Sequence, residues 1–125
     1  MEWEFISLEV LAELHAESLR RFGGLSGVRD EGLVESALAA AENTYWYGRG
    51  DLFDIAAAYA FHIAQNQAFL DGNKRTAIAA AYTFLRLNGI EASPDQSALY
   101  AAMIAIAEKR LDKAGLTARF RELFA

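Results

Sequence analysis

The 125-residue chain has no cysteine and only one proline. The missing cysteine excludes a disulfide framework, a cysteine-based zinc site and a cysteine nucleophile. It suits a reducing compartment, and a cytoplasmic protein is the expectation. Positive charge is also short: 12 Lys and Arg stand against 17 Asp and Glu, a net charge of −5. Phosphate contacts need a basic surface, so this balance argues against a general nucleic-acid binder. Long apolar runs are missing too. The most apolar stretch, Ile55 to Ala64, is about half of the ~20 residues that span a bilayer, and it contains His62. The start, Met1-Glu2-Trp3-Glu4-Phe5, is acidic and lacks the pattern of a secretory signal. Neither a membrane nor export is expected. Strand signals are scarce, since no alternating run of β-branched or aromatic residues exceeds a few positions. Against these absences, 54% of residues are hydrophobic and 23% charged. That rules out disorder as the main state, and the length fits one domain over residues 1–125 with one core.

Alanine is abundant and comes in runs, at 39–41, 56–58 and 79–81. It is the best helix former, and its small side chain lets helices approach closely. The expectation is an all-α protein, a compact helical bundle around a central helix. Ser7 is a plausible cap for a first helix carrying Leu8, Leu11, Leu14 and His15, and Phe22-Gly23-Gly24 stops it. Asp30 opens a second helix, which leads to Tyr45-Trp46-Tyr47 and a glycine break at Gly48 to Gly50. Strong helices follow from Asp51 to about Asn66 and from about Asn73 to Leu87, with Gln67 to Gly72 as a loop between them. The second of these is expected to be the buried central helix, meeting its neighbours through Ala77, Ala80 and Ala81. Asn88-Gly89 ends it as a left-handed cap. A helix from about Asp95 to Glu108 and a short one around Thr117 to Phe124 complete the chain.

The chemically richest stretch is Phe69-Leu70-Asp71-Gly72-Asn73-Lys74-Arg75-Thr76. It puts a carboxylate, a glycine and two cations at the start of a helix. Free backbone N–H groups and the positive end of the dipole favour an anion there. Lys74 and Arg75 oppose that dipole at about 0.3–1 kcal/mol each when exposed. A phosphate bound against them reverses the sign, and Asp71 beside it could hold a divalent cation through oxygen. An Asp-Gly turn, an asparagine cap and two solvated cations would produce the same string. Spacing alone does not choose between the two.

The same stretch resembles the signature of the Fic/Doc family. The likeness extends to Phe22-Gly23-Gly24-Leu25, Gly27, Asp30-Glu31-Gly32-Leu33, Phe84-Leu85 and Asn88-Gly89, and is closest to the Doc ("death on curing") branch. The resemblance implies a helical fold in which a loop and a helix N-terminus bind nucleotide phosphates. Phe69 would anchor the loop, Asp71 would sit at the magnesium position, and Gly72, Asn73, Lys74 and Arg75 would form the phosphate cradle. The AMP-transferring branch has a glycine where Lys74 stands and an arginine where Ile78 stands. Their absence here points to phosphoryl transfer from ATP. A Doc-type toxin is implied, with a cognate antitoxin as partner and elongation factor Tu as target.

One position departs from the pattern. The family motif begins His-x-Phe, and the histidine is the general base, but here the chain reads Gln67-Ala68-Phe69. An amide has no useful basicity near neutral pH, so Gln67 can orient a group but cannot take its proton. The expectation is a catalytically impaired transferase; the alternative is a pseudoenzyme that binds nucleotide or a partner without transfer. His62 is expected to pack between helices, because five helical steps turn its side chain about 140° away from position 67. His15 is expected to be structural. Tyr45-Trp46-Tyr47 reads as core and loop packing, Asp51, Glu31 and Glu35 as caps or solvated charges, and Glu108-Lys109-Arg110 as an exposed helix end. No Ser-His-Asp pattern or HExxH zinc motif is present.

Overall fold

Side chains able to accept from backbone N–H groups open five helices of the computed structural model, which describes residues 3–48 and 50–125. Ser7 caps α1 (Leu8–Phe22) through the Val10 N–H, and Asp30 caps α2 (Glu31–Trp46) through the Leu33 N–H. Asp51 caps α3 (Leu52–Asn66), and Asp54 bonds back to the Asp51 N–H to complete a capping box. The next helix, α4 (Asn73–Leu87), starts at Gly72 with no side-chain cap. Asp95 then caps α5 (Gln96–Ala107), and Asp112 caps α6 (Lys113–Leu123). Each such cap is worth about 1 kcal/mol. Among the described residues there is no strand, only one isolated antiparallel bridge between Val28 and Phe69. Met1 and Glu2 of the acidic start, and Arg49 of the glycine break, lie outside the described residues.

The fold is all-α, as composition predicted, with two corrections. The last helix begins at Lys113 rather than near Thr117, because Asp112 accepts from the Gly115 N–H at 2.7 Å and holds that glycine in the first turn. The centre of the bundle is shared: α3 packs against α2, α4, α5 and α6, while α4 packs against α1, α3 and α5. Residues 55–60 of α3 are completely enclosed. They are four alanines with Ile55 and Tyr59, so no charged face has to reach water. On α4, Lys74, Arg75 and Arg86 keep one side at the surface, while Ala77, Ala80 and Ala81 are buried against neighbours as expected.

Asn88 does not itself take the left-handed conformation at the end of α4; Gly89 does, with φ 97°. The Asn88 side chain instead binds the main chain of Glu4, accepting from its N–H at 2.8 Å and donating to its carbonyl at 3.0 Å. Tyr59 accepts from the Ile6 N–H at 2.8 Å, so the N-terminal segment is tied to both central helices. Of the aromatic trio, Tyr45 packs edge-on against Phe5, but Trp46 is 56% and Tyr47 84% exposed. Trp46 still packs edge-on against Tyr45, with centroids 4.8 Å apart, but the packing expectation fails for Tyr47, which follows the end of α2.

His62 is half-buried on α3, edge-on to Phe61, with its Nε2 3.2 Å from Lys113 Nζ of α6. Burial, and then the Lys113 charge, push its pKa below the ordinary value of 6.5. The folded state therefore holds the neutral ring, while the unfolded chain takes up a proton as pH falls past about 6.5. The His62 contribution is fully present above that pH and is lost as pH falls through the unfolded and then the folded pKa. Urea titrations between about pH 7.5 and 5 are expected to show a shallower loss of stability for His62→Gln than for the unaltered chain. Parallel curves would contradict this.

Candidate functional site

The loop between α3 and α4 is fixed from three sides. At its start Gln67 adopts the left-handed conformation, φ 49° and ψ 49°, while its N–H donates to the Ile63 carbonyl. That costs a non-glycine residue about 1–2 kcal/mol, and it turns the chain inward so that Ala68 and Phe69 are buried. The Phe69 ring stacks on His15 of α1, with centroids 3.9 Å apart and planes 14° from parallel. His15 Nε2–H donates to the Asp71 carbonyl at 2.8 Å. Because a carbonyl only accepts, this contact sets the ring tautomer. From α4, Asn73 brackets Phe69: its Oδ1 accepts from the Phe69 N–H and its Nδ2 donates to the Phe69 carbonyl, both at 3.0 Å.

The segment after α1 closes the third side. Arg29 and Asp30 N–H groups donate to the Ala68 carbonyl at 2.7 and 3.1 Å, and the Leu70 N–H donates to the Gly27 carbonyl at 3.1 Å. Asp71 Oδ2 accepts from the Leu25 N–H at 3.1 Å. Gly24 is required here, since it has φ 123° and an added Cβ would come within 3.2 Å of the Asp71 side chain.

These supports bring all six residues singled out from the sequence, Gln67, Asp71, Gly72, Asn73, Lys74 and Arg75, to one cleft of about 280 Å³. Their contributions differ. The Asn73 amide is spent on Phe69, so Asn73 offers the cleft its backbone N–H. The first hydrogen bond of α4 runs from the Thr76 N–H to the Gly72 carbonyl. The amides of Asn73, Lys74 and Arg75 therefore have no intrahelical partner, and the first turn carries no acidic side chain. Neither Lys74 nor Arg75 has an ion-pair partner among the described residues. The Arg75 guanidinium lies 3.7 Å over the Phe22 ring and 4.9 Å from the Tyr100 centroid. Two aromatic contacts restrict the fork while leaving its N–H edge free to donate. Beyond Arg75 lies a more apolar groove of about 350 Å³, lined by Leu14, Phe22, Ile78 and Tyr82 among others.

Asp71 is the carboxylate of the cleft. Among the described residues no three His, Cys, Asp or Glu side chains cluster in a way that could hold a metal ion. A cation at Asp71 would need phosphate oxygens and water as its other ligands, the manner in which magnesium is usually held beside a nucleotide. His62, hydrogen-bonded to Lys113, is not among the residues lining the cleft.

Sequence reasoning missed Ser18, Phe22 and Tyr100, which also line the cleft. For two of them a signal existed. Ser18 and Phe22 lie three and seven residues beyond His15, on one helical face. Tyr100 arrives from α5 by long-range packing and left no local mark.

The fold and this cleft define an all-helical protein whose α4 starts, without a side-chain cap, at a cleft that holds Asp71 and two cations without ion-pair partners among the described residues. Residues 5–85 match the Fic/DOC family, and the chain belongs to it. It is 47% identical over 78 residues to a protein named Toxin Doc from Mycolicibacterium smegmatis, covering 59% of this chain and 58% of that one. It is 39% identical over 87 residues to one named Protein kinase doc from Escherichia phage P1, covering 69% of each. Among the described residues no helix is long and apolar enough to cross a membrane.

Proposed function

We propose that this chain is a Doc-type toxin that binds ATP at the start of α4. It is built for phosphoryl transfer to a protein hydroxyl in the cytoplasm, and its transfer chemistry is impaired at Gln67. The observation that carries the reading is convergence: Asp71, the uncapped start of α4, Lys74, Arg75 and Gln67 all face one cleft. The names of the two relatives support a toxin with kinase-like chemistry. Elongation factor Tu is the target to test first, as the family likeness implies, and a cognate antitoxin is the expected partner.

The donor set fits a polyphosphate. The N–H groups of Asn73, Lys74 and Arg75 and the α4 dipole hold phosphate oxygens, and the two cations neutralise their charge. Asp71, kept in place by the Leu25 N–H and through its carbonyl by His15, would hold magnesium together with those oxygens. When bound, ATP supplies the phosphoryl group and magnesium offsets its negative charge. Gln67 can hydrogen-bond an acceptor hydroxyl at the cleft but cannot remove its proton. That amide also supports a second reading, a binding protein that occupies nucleotide without turning it over.

Calorimetric titration with ATP and magnesium tests the site. The unaltered chain is expected to bind, and Arg75→Ala to bind roughly ten- to hundredfold more weakly, the value of a charge-assisted hydrogen bond. Equal affinities, or no binding by either protein, would remove the reading.

A further inference from the structure

Two buried side-chain oxygens among the described residues have no hydrogen-bond partner, Ser18 Oγ and Thr76 Oγ1. Thr76 is wholly enclosed and is not among the residues lining the cleft. Ser18 is different. It is only 7% exposed, yet it lines the cleft at the start of α4. A Cβ built on Gly72 would lie 3.6 Å from its Oγ, which places the hydroxyl beside the uncapped end of the helix. A buried hydroxyl without a partner is unfavourable and ordinarily finds one. Here an unpartnered hydroxyl lies against an uncapped helix N-terminus at the edge of the cleft.

Their chemistry narrows what would satisfy both. The amides of α4, the Lys74 ammonium and the Arg75 guanidinium only donate, whereas the serine hydroxyl donates or accepts. A ligand that only accepts, with several oxygens on one centre, completes every group at once. We propose that Ser18 is a ligand-binding residue whose Oγ–H donates a hydrogen bond to an oxygen of a phosphoryl group seated at the start of α4. This rests on the nucleotide-site reading above and adds to it a donor from α1, beside Gly72 at the start of α4.

The test is Ser18→Ala in the full chain, beside the unaltered protein and Arg75→Ala. Each is titrated calorimetrically with ATP–magnesium and with inorganic phosphate, and each is melted without ligand. The expected result is a Kd for ATP–magnesium raised tenfold or more in Ser18→Ala, with a melting temperature unchanged or higher. The rise follows from removing an unsatisfied buried oxygen, whereas a serine that only held the fold together would lower it. Weaker binding of both probes would show that Ser18 reads a single phosphoryl group. Weakening for ATP–magnesium alone would place it on a phosphate that only the nucleotide presents, and either result supports the proposal. Unchanged ATP affinity in Ser18→Ala, while Arg75→Ala is weakened, would overturn the Ser18 assignment and leave the site standing. Lost affinity together with a lowered melting temperature would overturn it as well. Failure of the unaltered chain to bind either probe would remove the site and the Ser18 assignment together.

Discussion

Gln67→His is expected to raise phosphoryl transfer from labelled ATP to elongation factor Tu by about 10²–10⁴-fold, the usual contribution of a positioned general base. Three features of the site carry this expectation. Position 67 lines the same cleft as Asp71, Lys74 and Arg75, so a base there would sit beside the groups proposed to hold phosphate. Its backbone is left-handed, which histidine enters more readily than most residues, so the exchange should not disturb the turn. The Gln67 side chain makes no hydrogen bond within the described residues, so its removal orphans nothing. Ala68 stands where the family motif often has proline, and a looser turn would leave the gain at the lower end of the range. No gain, with ATP binding and melting temperature retained, would favour the binding protein over the transferase. High activity in the unaltered chain would show that another group, or the substrate itself, handles the proton.

The parts legible in the sequence were those written in local chemistry. Ser7, Asp30, Asp51 and Asp95 each precede a helix start, and each caps it in the structure. Asp112 does the same for α6, but Gly115 in the first turn masked that start, because glycine weakens helical propensity. The cleft was legible as a string of residues, since Asp71 to Arg75 are contiguous and lie at a helix start. What the string could not show was how its members divide the work. Asn73 reads as a phosphate ligand until its amide is seen bonded at both ends to Phe69. Phe22 reads as a helix terminator, yet its ring, 58% exposed, is where the Arg75 guanidinium rests. Such roles depend on where α1 and α5 cross the loop, which packing decides and local sequence does not record.

Phe69→Ala is expected to destabilise the protein by about 3–5 kcal/mol, the cost of truncating a buried phenylalanine. That is a large share of the roughly 5–15 kcal/mol that holds a domain folded. Phe69 is 4% exposed, its ring covers His15, and its backbone is held by Asn73 and bridged to Val28. Removing the ring opens a void beneath the loop and frees His15 to leave the Asp71 carbonyl. ATP affinity should therefore fall along with stability. Phe69→Leu keeps most of the apolar volume and should lose less of both, because shape changes in a core cost less than voids. Arg75→Ala supplies the contrast: its side chain is largely at the surface, so it should weaken ATP binding far more than it lowers the urea midpoint. Urea titrations and calorimetry on the three variants separate these contributions. If Phe69→Ala keeps its midpoint within about 1 kcal/mol of the unaltered chain, the ring is not the anchor. The backbone pairing of 27–30 with 68–70 would then be holding the loop, with Asp71 kept in place by its bonds to Leu25 and His15.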